Sequence, residues 1–156
     1  MIHLGQRKLL LAEIQFLTQC SEKAKNIIYV GAAPGHHITY LSELFPNNIF
    51  HLYDPRNFAI NQTDKININV EYFDCASISF DNFILISDIR QNITTSMTDI
   101  FKNKIIIEDM NLQQSWVEKL KPTASLLKFR LPTDCNNYEY LDGTIIEQPW
   151  TPESTL

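Results

Sequence analysis

The stretch "NIIYVGAAPGHHITYLSELFP", residues 26–46, joins an apolar run to a loop of small residues and then to a helical pattern. Residues 26–30 predict a buried strand, and residues 36–45 predict a helix that Pro46 ends. The loop "GAAPG" between them carries almost no side chain, so a ligand could approach its main chain closely. The Gly-Lys-Ser/Thr ending of a phosphate loop is missing, which argues against nucleotide triphosphate hydrolysis.

Strand and helix patterns continue on both sides of this stretch. Leu9, Leu10, Ile14 and Leu17 recur at helical spacing and predict an amphipathic helix over residues 6–19. Apolar runs predict further strands at residues 49–54, 68–73, 81–88 and 123–132. Residues 96–120 contain the strand-like "KIIIE" but keep an apolar stripe at helical spacing, which favours a helix, kinked or straight.

The end of the sequence carries a turn signal. In "YEYLDGTIIE", residues 138–147, two β-prone runs flank Asp142-Gly143, which predicts an antiparallel hairpin. The order of elements therefore predicts an α/β fold with a mainly parallel sheet and a C-terminal antiparallel hairpin.

Polar residues fall where the predicted parallel strands end. The loop 31–35 follows the first strand, Asp54 the second and Asp88 the fourth, while Lys128 lies on or near the fifth. Ligands of such sheets bind outside the carboxyl ends of the strands, so we expect these features to share one site. Asp54 suits the ribose hydroxyls of a nucleoside cofactor, or else it starts the turn before Pro55.

Composition narrows the class of protein. The 156 residues, 44% hydrophobic and 20% charged, predict one soluble globular domain spanning residues 1–156. No apolar run has the length of a membrane span. A net charge of −5 argues against indiscriminate nucleic-acid binding but leaves room for a local basic groove. Three distant cysteines favour reduced thiols in a cytosolic setting.

Adjacent His36 and His37 would point apart on a helix, so we expect no metal site.

Four stretches together resemble a known family. They are "GQRKLLLAEIQFL", "YVGAAPGHHITYL", "ILISDIR" and "ASLLKFRLP", and their order matches that of the poxvirus cap-specific mRNA nucleoside 2′-O-methyltransferases over nearly the whole chain. Those enzymes also serve as the small, stimulatory subunit of viral poly(A) polymerase. The resemblance implies a Rossmann-like methyltransferase fold and S-adenosylmethionine as cofactor.

The same resemblance implies a catalytic Lys-Asp-Lys-Glu tetrad, for which the candidates are Lys8, Asp88, Lys128 and Glu153. A ribose hydroxyl is a weak acid, and a lysine with a depressed pKa can help to remove its proton. Lys128 is the candidate for this role, either as the base or as the group that orients the hydroxyl. Taken singly, Lys8 could lie on a solvated helix face and Glu153 in a tail.

The resemblance further implies a set of residues lining the cofactor pocket. They are Gln6, Gly31, Ala33, Pro34, Gly35, Asp54, Arg56, Phe73, Asp88, Ile89 and Arg90. Arg90 could instead contact RNA phosphate, and Phe73 could equally belong to the core.

The sequence departs from the family where the cap is read. Aromatic rings grip the methylated guanine in the family, but only residues 1–4 precede the first matching stretch here. The second ring of the family lies shortly after the second lysine of the tetrad, and "LPTDC", residues 131–135, stands at the expected place. Tyr138, Tyr140 or Trp150 could substitute for those rings. The region before Glu153 is shorter than in the family, so the domain is expected to be minimal or truncated at its C-terminus.

The preferred hypothesis is an RNA ribose 2′-O-methyltransferase acting on the 5′ end of capped mRNA, or on a related RNA if the cap pocket is lost. It would act in the host cytoplasm or the virion if the protein is viral. A second hypothesis is a non-catalytic protein that keeps the fold, either as an RNA-binding subunit or as a stimulatory partner of the catalytic subunit of a poly(A) polymerase. A third is a ribosomal-RNA 2′-O-methyltransferase, which shares the tetrad. None of the three requires a metal or a membrane.

Overall fold

The computed structural model describes residues 4–133, 135 and 137–147, with side chains from Arg7 onward. The α-helices are α1 (Leu4–Cys20), α2 (His36–Leu44) and α3 (Asp99–Leu120). The strands are β1 (Asn26–Val30), β2 (Ile49–Tyr53), β3 (Ile66–Asn69), β4 (Phe83–Ser87) and β5 (Ala124–Leu127). Two short 3₁₀ helices lie at Ser21–Lys23 and Cys75–Ser77.

The five strands form one parallel sheet in the order β3-β2-β1-β4-β5. The chain builds outward from β1 to β3, then returns to place β4 on the other side of β1. The connections after β1 and β4 therefore diverge, which opens a crevice at the carboxyl ends of these two strands. The α/β class and the parallel sheet predicted from the sequence are confirmed.

Side chains of the central strand alternate between two apolar cores. Ile27 and Tyr29 join the core that α1 and α2 cover, whereas Ile28 and Val30 join the core that contains Trp116 of α3. β4 is buried along its whole length because helices cover both faces of the sheet. This burial makes the ends of β1 and β4 a rigid base for the residues that follow them.

The predicted C-terminal hairpin is wrong, because residues 137–147 form no strand in the structure. Ile145 of the hairpin signal is 73% exposed, and a Cβ added to Gly143 would extend into open space. Tyr138 instead donates a hydrogen bond to Asn111 of α3 at 3.2 Å. Tyr138 and Tyr140 pack against Asn111 and Phe129, and the described residues of this segment pair with no neighbouring strand, which a stable strand requires.

The longest described helix, α3, carries charged residues along its length. Among the described residues, no helix is long and apolar enough to cross a membrane.

Candidate functional site at the carboxyl edge of the sheet

The loop after β1 lies against the end of β4. Gly31 has a φ of 79°, and a Cβ at this position would lie 2.8 Å from the carbonyl carbon of Asp88. Only glycine fits, because any side chain would collide with backbone and would also disfavour this φ. The Gly31 amide donates to the Tyr53 carbonyl at 2.9 Å. The loop is therefore joined to the ends of both neighbouring strands.

Gly35 closes the same loop and precedes α2. Its φ is 83°, and a Cβ there would lie 3.1 Å from Cδ1 of Ile60. Gly35 thus allows the turn into the helix and close packing against Ile60 and Phe58.

A cavity of about 350 Å³ opens above the loop. Its lining residues are Gly31, Ala33, Pro34, Arg56, Asp88, Arg90, Asn92 and Ile93. The volume lies at the lower end of the range for small-molecule sites, which is roughly 300 to 1,000 Å³. Six of the eight lining residues belong to the predicted cofactor set, whereas Asn92 and Ile93 were not predicted from the sequence.

Asp54 lies beneath the cavity wall and is only 3% exposed. Its Oδ1 accepts hydrogen bonds from N and Nε of Arg56, both at 2.9 Å. Its Oδ2 accepts from the Ala33 amide at 3.1 Å and from Nη2 of Arg56 at 2.8 Å. Four donors fill the acceptor positions that a carboxylate offers. A ribose could therefore bind Asp54 only by replacing one of these bonds.

The pKa of Asp54 reflects this environment. Burial raises the pKa, but the hydrogen bonds from Arg56 and Ala33 outweigh burial and hold it below its ordinary value. Asp54 is thus held ionised and joins the loop after β1 to the loop after β2.

Asp88 and Lys128 meet on the other side of the loop, although 40 residues separate them in the sequence. Lys128 Nζ donates to Asp88 Oδ1 at 2.6 Å, and the two side chains are 32% and 23% exposed. The pKa of Asp88 is raised because burial outweighs the opposing effect of the Lys128 charge. Asp88 lines the cavity, and Lys128 lies next to Asp88 with part of its side chain exposed.

A buried polar cluster beneath the loop was not predicted from the sequence. Tyr29 of β1 donates a hydrogen bond to Glu13 of α1, and Nε2 of His37 in α2 lies 3.3 Å from both Glu13 carboxylate oxygens. All three residues are almost fully buried. Burial and the neighbouring carboxylate of Glu13 raise the pKa of Tyr29 well above its ordinary value. The cluster ties α1, β1 and α2 together next to Asp88.

The other predicted site residues are distributed as follows. Lys8 is half-buried on α1 and forms no ion pair with Asp88 within the described part of the chain. Phe73 packs edge-on against Tyr53 and Trp116, with ring centroids 5.2 and 5.1 Å away, and Ile89 packs against the same core. The side chain of Gln6, and all of Glu153 and Trp150, lie outside the described residues.

Aromatic rings gather next to Lys128. Phe129 is 40% exposed, and its ring centroid lies 5.7 Å from that of Tyr140. Tyr138 lies 6.3 Å from Tyr140 on the same cluster. Burial raises the pKa of Tyr140 to about 12, so its hydroxyl stays protonated at neutral pH. We call Phe129, Tyr138 and Tyr140 the aromatic cluster.

Residues 1–154 match the family model described as "Poly A polymerase regulatory subunit". The chain belongs to this family. It is 32% identical over 149 residues to the cap-specific mRNA (nucleoside-2′-O-)-methyltransferase of Fowlpox virus (strain NVSL), covering 82% of this chain and 46% of the relative. It is 31% identical over 170 residues to the protein of the same name in Myxoma virus (strain Lausanne), covering 96% of this chain and 49% of the relative. The chain thus spans slightly less than half the length of these family members.

The methyl donor implied by the family resemblance is S-adenosylmethionine, and the cavity is compatible with it in two respects. A Cβ on Gly31 would meet backbone, so the loop can offer its main chain to a ligand only with glycine there. The partly exposed carboxylate of Asp88 at the rim is suited to a positively charged sulfonium. Among the described residues, no group of three His, Cys, Asp or Glu side chains is arranged to hold a metal ion.

Proposed function

We propose that this chain is an RNA ribose 2′-O-methyltransferase that uses S-adenosylmethionine, and that its single domain spans residues 1–156. The observation that carries the proposal is the 2.6 Å ion pair that Lys128 forms with Asp88, a residue that lines the cavity. Two residues of the tetrad implied by the resemblance are thereby adjacent to the loop that would hold the methyl donor.

The residues that would hold the cofactor are those of the cavity wall. Gly31, Ala33 and Pro34 offer backbone with little side chain, and Arg56 and Arg90 offer cations for the carboxylate of the methionine part. Asp54 would act through Arg56, whose guanidinium it fixes with two hydrogen bonds. When bound, S-adenosylmethionine supplies an electrophilic methyl group carried on a sulfonium sulfur.

Lys128 would act on the ribose. The 2′-hydroxyl must lose its proton as the oxygen gains the methyl group, and Lys128 Nζ would contact this oxygen. Asp88 holds Nζ at 2.6 Å, so the lysine is positioned before the substrate binds. In this ion pair the ammonium orients the hydroxyl, and the proton leaves for water. No metal takes part in this assignment.

The substrate would be RNA, and the names of the relatives point to the 5′ end of mRNA. Stacking of a base on an aromatic ring is worth roughly 1 to 3 kcal/mol and tolerates different bases. The aromatic cluster begins at Phe129, next to Lys128, so a base could stack there while its neighbouring ribose faces the lysine. Exposed Arg130 adds a cation for phosphate within a chain of net charge −5.

The test is Lys128→Ala, assayed by transfer of a labelled methyl group to capped RNA. We expect the rate to fall about 100-fold or more, because the hydroxyl would lose the group that orients it. The matched control is Lys104→Ala, which removes a lysine whose side chain is 69% exposed. Undiminished transfer by Lys128→Ala would contradict the proposal. Parallel assays with uncapped and ribosomal RNA would decide whether transfer depends on the cap.

A second candidate function is that of a non-catalytic subunit that stimulates poly(A) polymerase, and the description of the matching family favours it. Its partner would be the catalytic subunit of that polymerase. Calorimetric titration with S-adenosylhomocysteine separates the two candidates. Binding supports the methyltransferase, whereas no binding at millimolar ligand supports the non-catalytic subunit. Both functions would operate on viral mRNA, so we propose that the protein is located in the host cytoplasm or the virion.

A further inference from the structure

A side chain of helix α3 holds the backbone of Lys128 by hydrogen bonds. Gln113 of α3 is 1% exposed, and its Nε2 donates to the Lys128 carbonyl at 3.0 Å. The Lys128 amide donates to Oε1 of Gln113, also at 3.0 Å. The same amide lies 3.0 Å from the Ser87 carbonyl, which extends the ladder of β4 and β5 by one residue. Both backbone polar groups of Lys128 are therefore fixed.

A second carboxamide repeats this arrangement ten residues away. Asn103 of α3 donates from Nδ2 to the Thr133 carbonyl at 3.1 Å, and the Thr133 amide donates to Oδ1 of Asn103 at 2.7 Å. Ten residues of α-helix rise about 15 Å, and five residues of extended chain span about 17 Å. The matching lengths let the segment 128–133 run antiparallel to α3, held at both ends.

A buried carboxamide is a costly way to fill a core position. Its polar atoms lose their bonds to water, so it is tolerated only when each finds a partner. Gln113 lies in α3 among apolar neighbours such as Met110 and Trp116. Its amide directs both of its hydrogen bonds to one residue, and that residue is the partner of Asp88.

We propose that Gln113 is a positioning residue, which fixes the backbone of Lys128 so that its Nζ meets Asp88 at the cavity rim. Asn103 holds the distal end of the same segment. The inference rests on the proposed function for its catalytic consequence, but its structural consequence can be measured without activity. A fixed lysine matters because a misplacement of about 1 Å in an active site can lower the rate about 100-fold.

The experiment compares Gln113→Met, which keeps the length of the side chain but removes both hydrogen bonds, with Gln114→Met on the same helix. Gln114 donates a hydrogen bond to Glu118 and, among the described residues, forms no side-chain hydrogen bond to the segment 128–133. We expect Gln113→Met to lower kcat at least about tenfold, with less than about a threefold change in KM for either substrate. Gln114→Met should leave kcat unchanged. Equal kcat values for the two variants would overturn the proposal.

A further variant separates positioning from general loss of stability. Asn103→Leu frees only the distal end of the segment 128–133, so its kcat should fall less than that of Gln113→Met. A kcat loss in Asn103→Leu as large as in Gln113→Met would overturn the specific role of Gln113.

An NMR titration of the Asp88 carboxyl carbon gives a readout that does not depend on turnover. Removing the Lys128 charge from Asp88 should raise the pKa of Asp88 further, because burial would then act with less opposition. We expect the pKa of Asp88 to rise in Gln113→Met and to stay unchanged in Gln114→Met. An unchanged Asp88 titration would overturn the proposal, whereas failure of the wild-type protein to transfer methyl groups would count only against the proposed function.

Discussion

Asp54 and Asp88 follow strands β2 and β4, which flank β1 on its two sides. Asp54 is 3% exposed and accepts four hydrogen bonds from the protein. The side chain of Asp88 is 23% exposed and pairs with one cation, Lys128. Their pKa values move in opposite directions, down for Asp54 and up for Asp88. The same residue type at the same edge thus serves as scaffold in one place and remains available to a ligand in the other.

The largest effect is expected at Asp88, the carboxylate that remains partly exposed. Asp88→Asn removes the charge that holds Lys128 but keeps the shape of the side chain. We expect methyl transfer to fall about 100-fold or more, because the lysine loses its orienting partner. The measurement is the rate of labelled methyl transfer to RNA. Exposed Asp64→Asn serves as the control, and full activity of Asp88→Asn would remove Asp88 from the site.

The second largest effect is expected at Asp54, the carboxylate that is buried among four donors. Asp54→Asn turns one oxygen into a donor that faces the donors of Ala33 or Arg56. We expect the free energy of unfolding to fall by about 2 kcal/mol, since a hydrogen bond to a buried charge contributes about that much. The melting temperature should fall by about 5 °C in a protein of this size. Urea unfolding measures the change, and wild-type stability in this variant would mean that Asp54 is free to bind a ligand.

The smallest effect is a difference in pH dependence between the two carboxylates. The folded-state pKa of Asp54 lies below its ordinary value of 3.8, so its stabilisation is present above pH 3.8 and is lost as the pH falls. The folded-state pKa of Asp88 lies above 3.8, so its contribution is greatest below pH 3.8 and is lost as the pH rises through the folded-state pKa.

Unfolding free energies of the wild-type protein minus those of each Asp→Asn variant, measured between about pH 3 and 7, report these contributions. We expect the difference to rise with pH for Asp54 and to fall with pH for Asp88. If both differences rose, or both fell, as the pH increased, the two carboxylates would not have the different environments described above.

Short-range patterns allowed correct predictions where a segment carries its own signal. Residues 26–30 form β1 as predicted, because a short apolar run that ends at a glycine is typical of a buried strand. Residues 99–120 of the predicted helix over 96–120 form α3, with Thr98 as the N-cap. The prediction of a hairpin at residues 138–147 was wrong, because the two β-prone runs pair neither with each other nor with the sheet.

Long-range partners could not be predicted from the same patterns. The sequence gives no sign that Arg56 and Ala33 occupy every acceptor position of Asp54. Gln113 has the composition of an exposed helix residue, yet it is buried against Lys128. The pairing of Glu13 with Tyr29 and His37 joins three elements whose contacts depend on how the helices pack.

The sequence by itself determined the parallel α/β arrangement, the glycine loop after β1 and the edge at which the polar residues gather. Those features follow from residue periodicity and from the backbone freedom of glycine, which are local properties of the chain. Only the tertiary structure decided which acid at that edge is enclosed and which faces the cavity. That choice depends on the number of donors that packing brings within about 3 Å of each carboxylate, and packing is a property of the whole fold.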